Sequence, residues 1–118
     1  MIDCRRATIE DLEHLVTGNR SIALETEGVE LSEAKLRSGI AAILDDQNKG
    51  IYWVACLEEK VVGQILVTYE WSDWRDGEIW WIQSVYVWPE ARRQGVFKAL
   101  LDHVTHEARD HSVVELRL

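Results

Sequence analysis

The sequence predicts a single α+β domain, an α/β/α sandwich with the element order β-α-α-β-β-β-α-β. Two stretches before residue 46 repeat apolar residues at helical spacing, and a third such stretch follows Pro89. Between them, residues 51–88 are rich in β-branched and aromatic residues interrupted by polar turns. A length of 118 residues fits one domain, 1–118, with one hydrophobic core.

The N-terminal part predicts a short strand followed by two helices. Residues 2–6 are extended, and Thr8 with Asp11 three residues later is typical of a capped helix start. Ser32 can cap the second helix, whose apolar stripe consists of Leu36, Ile40, Ile43 and Leu44. The polar residues 45–50 end that helix.

The middle of the chain predicts an antiparallel meander of three strands, Ile51–Leu57, Val61–Trp71 and Glu78–Trp88. Pro89 ends the third strand, because proline cannot donate to the hydrogen bonds of a sheet. A helix is expected from Val96 to about Arg109, and a further strand is expected to begin at Val113.

Composition narrows the classes of partner. The net charge of −8 argues against nucleic acid, because phosphate neutralisation needs a basic face. The acidic surplus is compatible with a cationic amine substrate, and equally with carboxylates that only keep the protein soluble.

No apolar run approaches the ~18 residues of a membrane span and no signal peptide is present, so we expect a cytoplasmic protein. Cys4 and Cys56 lack metal-ligand spacing, so no metal is expected.

The segment between the third strand and the last helix has the properties of an anion site. A helix N-terminus presents unpaired N–H groups and partial positive charge, and Gly95 at that start lets a ligand approach the backbone. Arg92 and Arg93 add cationic charge beside it, which suits a diphosphate. Solvated arginines beside an ordinary turn would produce the same pattern.

Residues 85–101 also resemble the acetyl-CoA motif of the GNAT superfamily of N-acetyltransferases, whose signature is Arg/Gln-x-x-Gly-x-Gly/Ala. The matching residues are Val87, Pro89, Arg92 and Gly95. The resemblance implies a GNAT-like fold and transfer of an acetyl group from acetyl-CoA to a primary amine of a small molecule or protein. It implies that the pantetheine arm binds the backbone of Val85, Tyr86 and Val87. It also implies a pyrophosphate site formed by Arg92, Arg93, Gln94, Gly95, Val96, Phe97 and Lys98.

Phe97 departs from the signature, which has Gly or Ala at this position. We expect its ring to point into the core, on one helical face with Leu100, Leu101, Val104 and Ala108. In that orientation the ring leaves the phosphate-facing N–H groups free. A ring turned toward the cofactor would displace the pyrophosphate.

Acetyl transfer to an amine needs a general base and an oxyanion donor. The family commonly uses a carboxylate on or beside the central strand, for which Glu78 and Glu70 are the candidates. Gln83 could orient a water, and the backbone N–H of Val87 is the oxyanion contact that the resemblance implies. Solvated residues at the ends of a hairpin are the alternative for both glutamates.

The family's domains continue past the last predicted strand with a helix and two strands, which often supply a tyrosine as general acid. We expect this chain to lack that segment, and Tyr52, Tyr69 and Tyr86 do not fit the tyrosine's position. An open apolar sheet edge favours a homodimer that covers it. A non-catalytic module that binds CoA is therefore the alternative to an active enzyme.

Overall fold

The computed structural model describes all residues from Met1 to Leu118, which form a five-stranded sheet and three α-helices. The elements are β1 (Ile2–Arg6), α1 (Leu12–Glu27), α2 (Glu33–Asp45), β2 (Ile51–Leu57), β3 (Lys60–Ser72), β4 (Gly77–Val87), α3 (Val96–Asp110) and β5 (Glu115–Arg117). Short helical turns at Ile9–Asp11 and Pro89–Ala91 precede α1 and α3. The predicted mixed α and β architecture is confirmed.

Hydrogen bonds from side chains stabilise the turn before α1 and the start of α2. The Asp11 carboxylate accepts the backbone N–H of Thr8 at 2.8 Å and two bonds from the Arg5 guanidinium at 2.8 and 2.9 Å. At the start of α2, the Ser32 hydroxyl accepts the N–H of Lys35 at 3.3 Å. These side chains bond N–H groups that would otherwise have no partner at a helix N-terminus.

The sheet has the strand order β1-β2-β3-β4-β5. The first four strands are antiparallel, whereas β5 runs parallel to β4 and pairs with Ile79–Trp81. A bulge interrupts the β3–β4 ladder, because Leu66 pairs with Ser84 and Val67 pairs with Ile82. Gln83 is therefore the extra residue of the bulge, near the middle of β4.

Helices cover both faces of this sheet. Under α3 lies the larger apolar cluster, which includes Trp53, Ile65, Trp80, Leu100 and Val104. The smaller cluster, beneath α1 and α2, includes Leu15, Val16, Ile40, Tyr52 and Val54. No helix of the structure is long and apolar enough to cross a membrane.

Candidate cofactor and active site

The loop between β4 and α3 exposes a row of backbone donors. Arg93 and Gly95 have φ angles of 67° and 86°, so the chain makes two left-handed steps before α3 begins at Val96. No backbone N–H from Arg93 to Lys98 donates a hydrogen bond to another protein atom. Consecutive free donors at a helix N-terminus form a site for an anion, and the helix dipole adds positive potential there.

A cleft of about 460 Å³ lies over this row of donors. Its lining contains nearly all of the loop residues predicted to bind the pyrophosphate, namely Arg92, Arg93, Gly95, Val96, Phe97 and Lys98, together with Val87 and Ala91. Gln94 is the exception, and its amide donates to the carbonyl of Glu90 at 3.2 Å. A Cβ built on Gly95 would meet nothing within 4 Å, so a ligand can approach the backbone at this residue.

The end of β4 leads directly into the cleft. The backbones of Val85, Tyr86 and Val87 pair with Ile65, Gln64 and Gly63 of β3. On the other side of β4, the pairing with β5 extends only from Ile79 to Trp81. The last three residues of the strand therefore have a partner strand on one side only.

The side chain of Arg92, which the resemblance assigns to the pyrophosphate, is bonded to other groups of the protein. Its Nε donates to the carbonyl of Val87 at 2.9 Å, and its Nη2 donates to Glu25 Oε1 at 3.1 Å. The Tyr86 hydroxyl donates to the other oxygen of Glu25 at 2.7 Å, and the guanidinium lies 5.4 Å from the centre of the Tyr86 ring. The hydrogen bond from Tyr86, followed by that from Arg92, lowers the pKa of Glu25 below its ordinary value.

The predicted orientation of Phe97 is wrong. Its ring is 51% exposed and lines the cleft rather than the core. The buried face of α3 instead consists of Val96, Leu100, Val104 and Ala108. Successive helical residues are turned by about 100°, so the residue after Val96 points away from the sheet.

The structure separates the two candidate bases. Glu78, at the start of β4, accepts the Trp80 indole N–H at 2.9 Å and lines a different cleft together with Tyr69 and His111. Val87 lies at the opposite end of the strand, about 30 Å away at ~3.3 Å per residue. Glu70 pairs with Ile79, so both glutamates lie at this end of the β3–β4 ladder, and they differ in the clefts that they line.

Glu70 lies on β3, where it pairs with Ile79 of β4. It lines a cleft with Trp81 and Gln83, and its carboxylate accepts the Trp81 indole N–H at 2.8 Å. The Gln83 amide donates to the Thr68 hydroxyl at 2.8 Å. Nearby, the Ser84 hydroxyl is buried and has no hydrogen-bond partner, a feature that no sequence pattern indicated.

Comparisons with known proteins identify the family of this chain. The model of the Acetyltransferase (GNAT) family matches residues 10–118. A possible acetyltransferase from Clostridium difficile 630 is 44% identical with a TM-score of 0.94, and the match covers 100% of this chain and 78% of that chain. An integron cassette protein from the mobile metagenome of Cole Harbour Salt Marsh is 26% identical with a TM-score of 0.89, over 97% and 74% of the two chains. The protein therefore belongs to the GNAT acetyltransferase family.

A more distant structure shares the fold alone. A predicted acetyltransferase from Clostridium acetobutylicum, solved with acetyl-CoA, has 21% identity and a TM-score of 0.77, over 100% of this chain and 80% of that chain. No functionally curated protein matches the chain.

Proposed function

We propose that this protein binds acetyl-CoA and transfers the acetyl group to a primary amine of a small molecule or a protein. The observation that carries the proposal is the row of free backbone donors from Arg93 to Lys98, at the position of the family signature. All of these residues except Val96 are exposed, so their N–H groups are open to a ligand, and adjacent free donors at a helix start suit an anion.

The residues of the cleft fit a diphosphate linked to a pantetheine arm. The backbone donors would hold the diphosphate, and the side chains of Arg93 and Lys98 would compensate its charge. The backbone of Val85 to Val87, with a partner strand on one side only, would bind the amide groups of the arm. Acetyl-CoA, when bound there, supplies the acetyl thioester.

Glu70 is the general base in this proposal. An ammonium group must lose a proton before its nitrogen can attack a carbonyl carbon. The Trp81 indole fixes the Glu70 carboxylate within the cleft that also contains the bulge residue Gln83. The Gln83 amide nitrogen is bonded to Thr68, so its carbonyl oxygen is available to orient a water between the amine and Glu70.

Release of free thiol from acetyl-CoA in the presence of a panel of primary amines tests this proposal. We expect amine-dependent thiol release, with the acetylated amine identified by mass spectrometry. If CoA raises the melting temperature but no amine causes thiol release, the protein is a CoA-binding module without this activity. If CoA gives no shift at millimolar concentration, the cofactor assignment is contradicted as well.

A further inference from the structure

Arg92 lies between two anionic sites. Arg92 is among the residues that line the proposed diphosphate cleft, yet its Nη2 atom bonds the carboxylate of Glu25. The Nε bond to the carbonyl of Val87 anchors the side chain at the end of β4. The side chains of Arg92 and Glu25 are 44% and 45% exposed, so their ion pair is accessible to solvent and can be exchanged.

Glu25 depends on this arginine for charge compensation. It lies in the last turn of α1, a turn that contains no basic residue. A carboxylate at a helix C-terminus is unfavourable, because the helix dipole is negative at that end. Arg92 provides the only ion pair of Glu25, and the Tyr86 hydroxyl provides a hydrogen bond but no charge.

A diphosphate in the cleft would compete with Glu25 for the same guanidinium. Arginine keeps its proton at all ordinary pH values, and its planar group forms paired hydrogen bonds with phosphate oxygens. We propose that Glu25 is a positioning residue that competes with the cofactor for Arg92. Glu25 lowers the resting affinity for the cofactor, and cofactor binding releases the carboxylate at the end of α1. This inference rests on the proposed function, because the competing diphosphate is that of acetyl-CoA.

Release of Glu25 would leave a negative charge beside the connection between α1 and α2. The Tyr86 hydroxyl still bonds the carboxylate, so the charge stays in place. A cationic acceptor amine would then be attracted only after the cofactor has bound.

Calorimetric titration of CoA into the wild type and Glu25→Gln tests the competition. We expect Glu25→Gln to bind CoA about two- to fivefold more tightly, the factor for losing one exposed ion pair. Glu27→Gln is the matched control, because it removes the same charge from the same exposed end of α1 but has no ion pair with Arg92. The gain in CoA affinity should be absent when Arg92 is replaced. The double variant Arg92→Gln with Glu25→Gln should bind CoA as tightly as Arg92→Gln alone.

The possible outcomes separate this inference from the proposed function. If the wild type binds CoA but Glu25→Gln binds equally or more weakly, the competition is disproved and the cofactor assignment stands. An equal gain in Glu27→Gln would disprove it too, because general electrostatics would then explain the effect. If neither the wild type nor any variant binds CoA, both proposals fail. Glu25→Ala should also bind CoA more tightly than the wild type, which would show that the gain does not depend on the introduced glutamine.

Discussion

Val96 and Phe97 are adjacent in α3, but the first is 1% exposed beneath the helix and the second is 51% exposed in the proposed cofactor cleft. The step of about 100° between helical neighbours separates the two directions. Val96 therefore belongs to the core although it also lines the cleft, whereas Phe97 lies only in the wall of the proposed cofactor site. This division has consequences for both stability and binding.

Substitution of Phe97 should affect the cofactor more than the fold. The exposed ring, next to Arg93 and Lys98, offers an apolar face for the adenine of CoA, and stacking of a base on an aromatic ring is worth about 1–3 kcal/mol. We expect Phe97→Ala to weaken CoA binding about fivefold or more, and to leave the binding of 4′-phosphopantetheine, which lacks adenine, unchanged. Tighter CoA binding in this variant would show instead that the ring obstructs the site.

Substitution of Leu100, on the same helix, should affect the stability of the fold. Its side chain is fully buried in the cluster beneath α3, so Leu100→Ala should lower the free energy of unfolding by about 2–5 kcal/mol. The exposed Phe97→Ala should change it by roughly 0.5 kcal/mol or less. Denaturant unfolding of the two variants measures this contrast, and similar losses in both would contradict the assigned face of α3.

Gly95 should be needed for both the loop conformation and the ligand. Its φ of 86° disfavours any side chain, and Gly95→Asp also places a negative charge against the diphosphate. We expect this variant to lose the thermal shift caused by CoA. Gly28→Asp is the matched control, because Gly28 has a φ of 64° and similarly open surroundings but lies at the end of α1. A retained shift in Gly95→Asp would move the cofactor site elsewhere.

The two glutamates should differ in their effect on turnover. Loss of a general base lowers the rate by about 10²- to 10⁴-fold, so Glu70→Gln should reduce kcat by this order with little change in KM for acetyl-CoA. Glu78→Gln, whose side chain lines a different cleft, should remain close to wild type. Steady-state kinetics with the best amine of the panel compares them, and the reverse ranking would assign the base to Glu78.

Asp11 should make the stability of the fold depend on pH. The hydrogen bonds from Arg5 lower the pKa of the nearly buried Asp11 carboxyl. A depressed folded-state pKa adds stability above the unfolded-state pKa, and this stability is lost as pH falls through the folded-state value. Asp11→Asn should therefore be less stable than wild type by about 1–3 kcal/mol near neutral pH. The difference should shrink in acid, and a constant difference in denaturant unfolding across pH would contradict this role.

Local patterns predicted the helices and strands closely. β2 has the predicted bounds Ile51–Leu57, and α3 begins at the predicted Val96. These features depend on neighbouring residues, such as the turn residues before a strand or the glycine before a helix. The direction in which the Phe97 side chain points was harder to predict, because two pairs of apolar residues repeat at helical spacing. One pair is Val96 with Leu100, and the other is Phe97 with Leu101.

Contacts between distant parts of the chain could not be predicted from such patterns. Glu25 meets Arg92 across 67 positions, and nothing in its exposed acidic helix end indicates that partner. The faces of Glu70 and Glu78 depend on strand alternation and on the bulge at Gln83, which shifts the register of β3 against β4. Only the assembled sheet shows that these two carboxylates lie in different clefts.

Titration of the ¹⁵N-labelled protein with CoA, followed by amide chemical shifts, tests the central claim most directly. The claim concerns the free N–H groups from Arg93 to Lys98, and each gives its own signal. We predict saturable shifts that are largest for these residues, with smaller ones at Val85 to Val87. Absence of saturable shifts at millimolar CoA, or shifts confined to another part of the protein, would contradict the cofactor site.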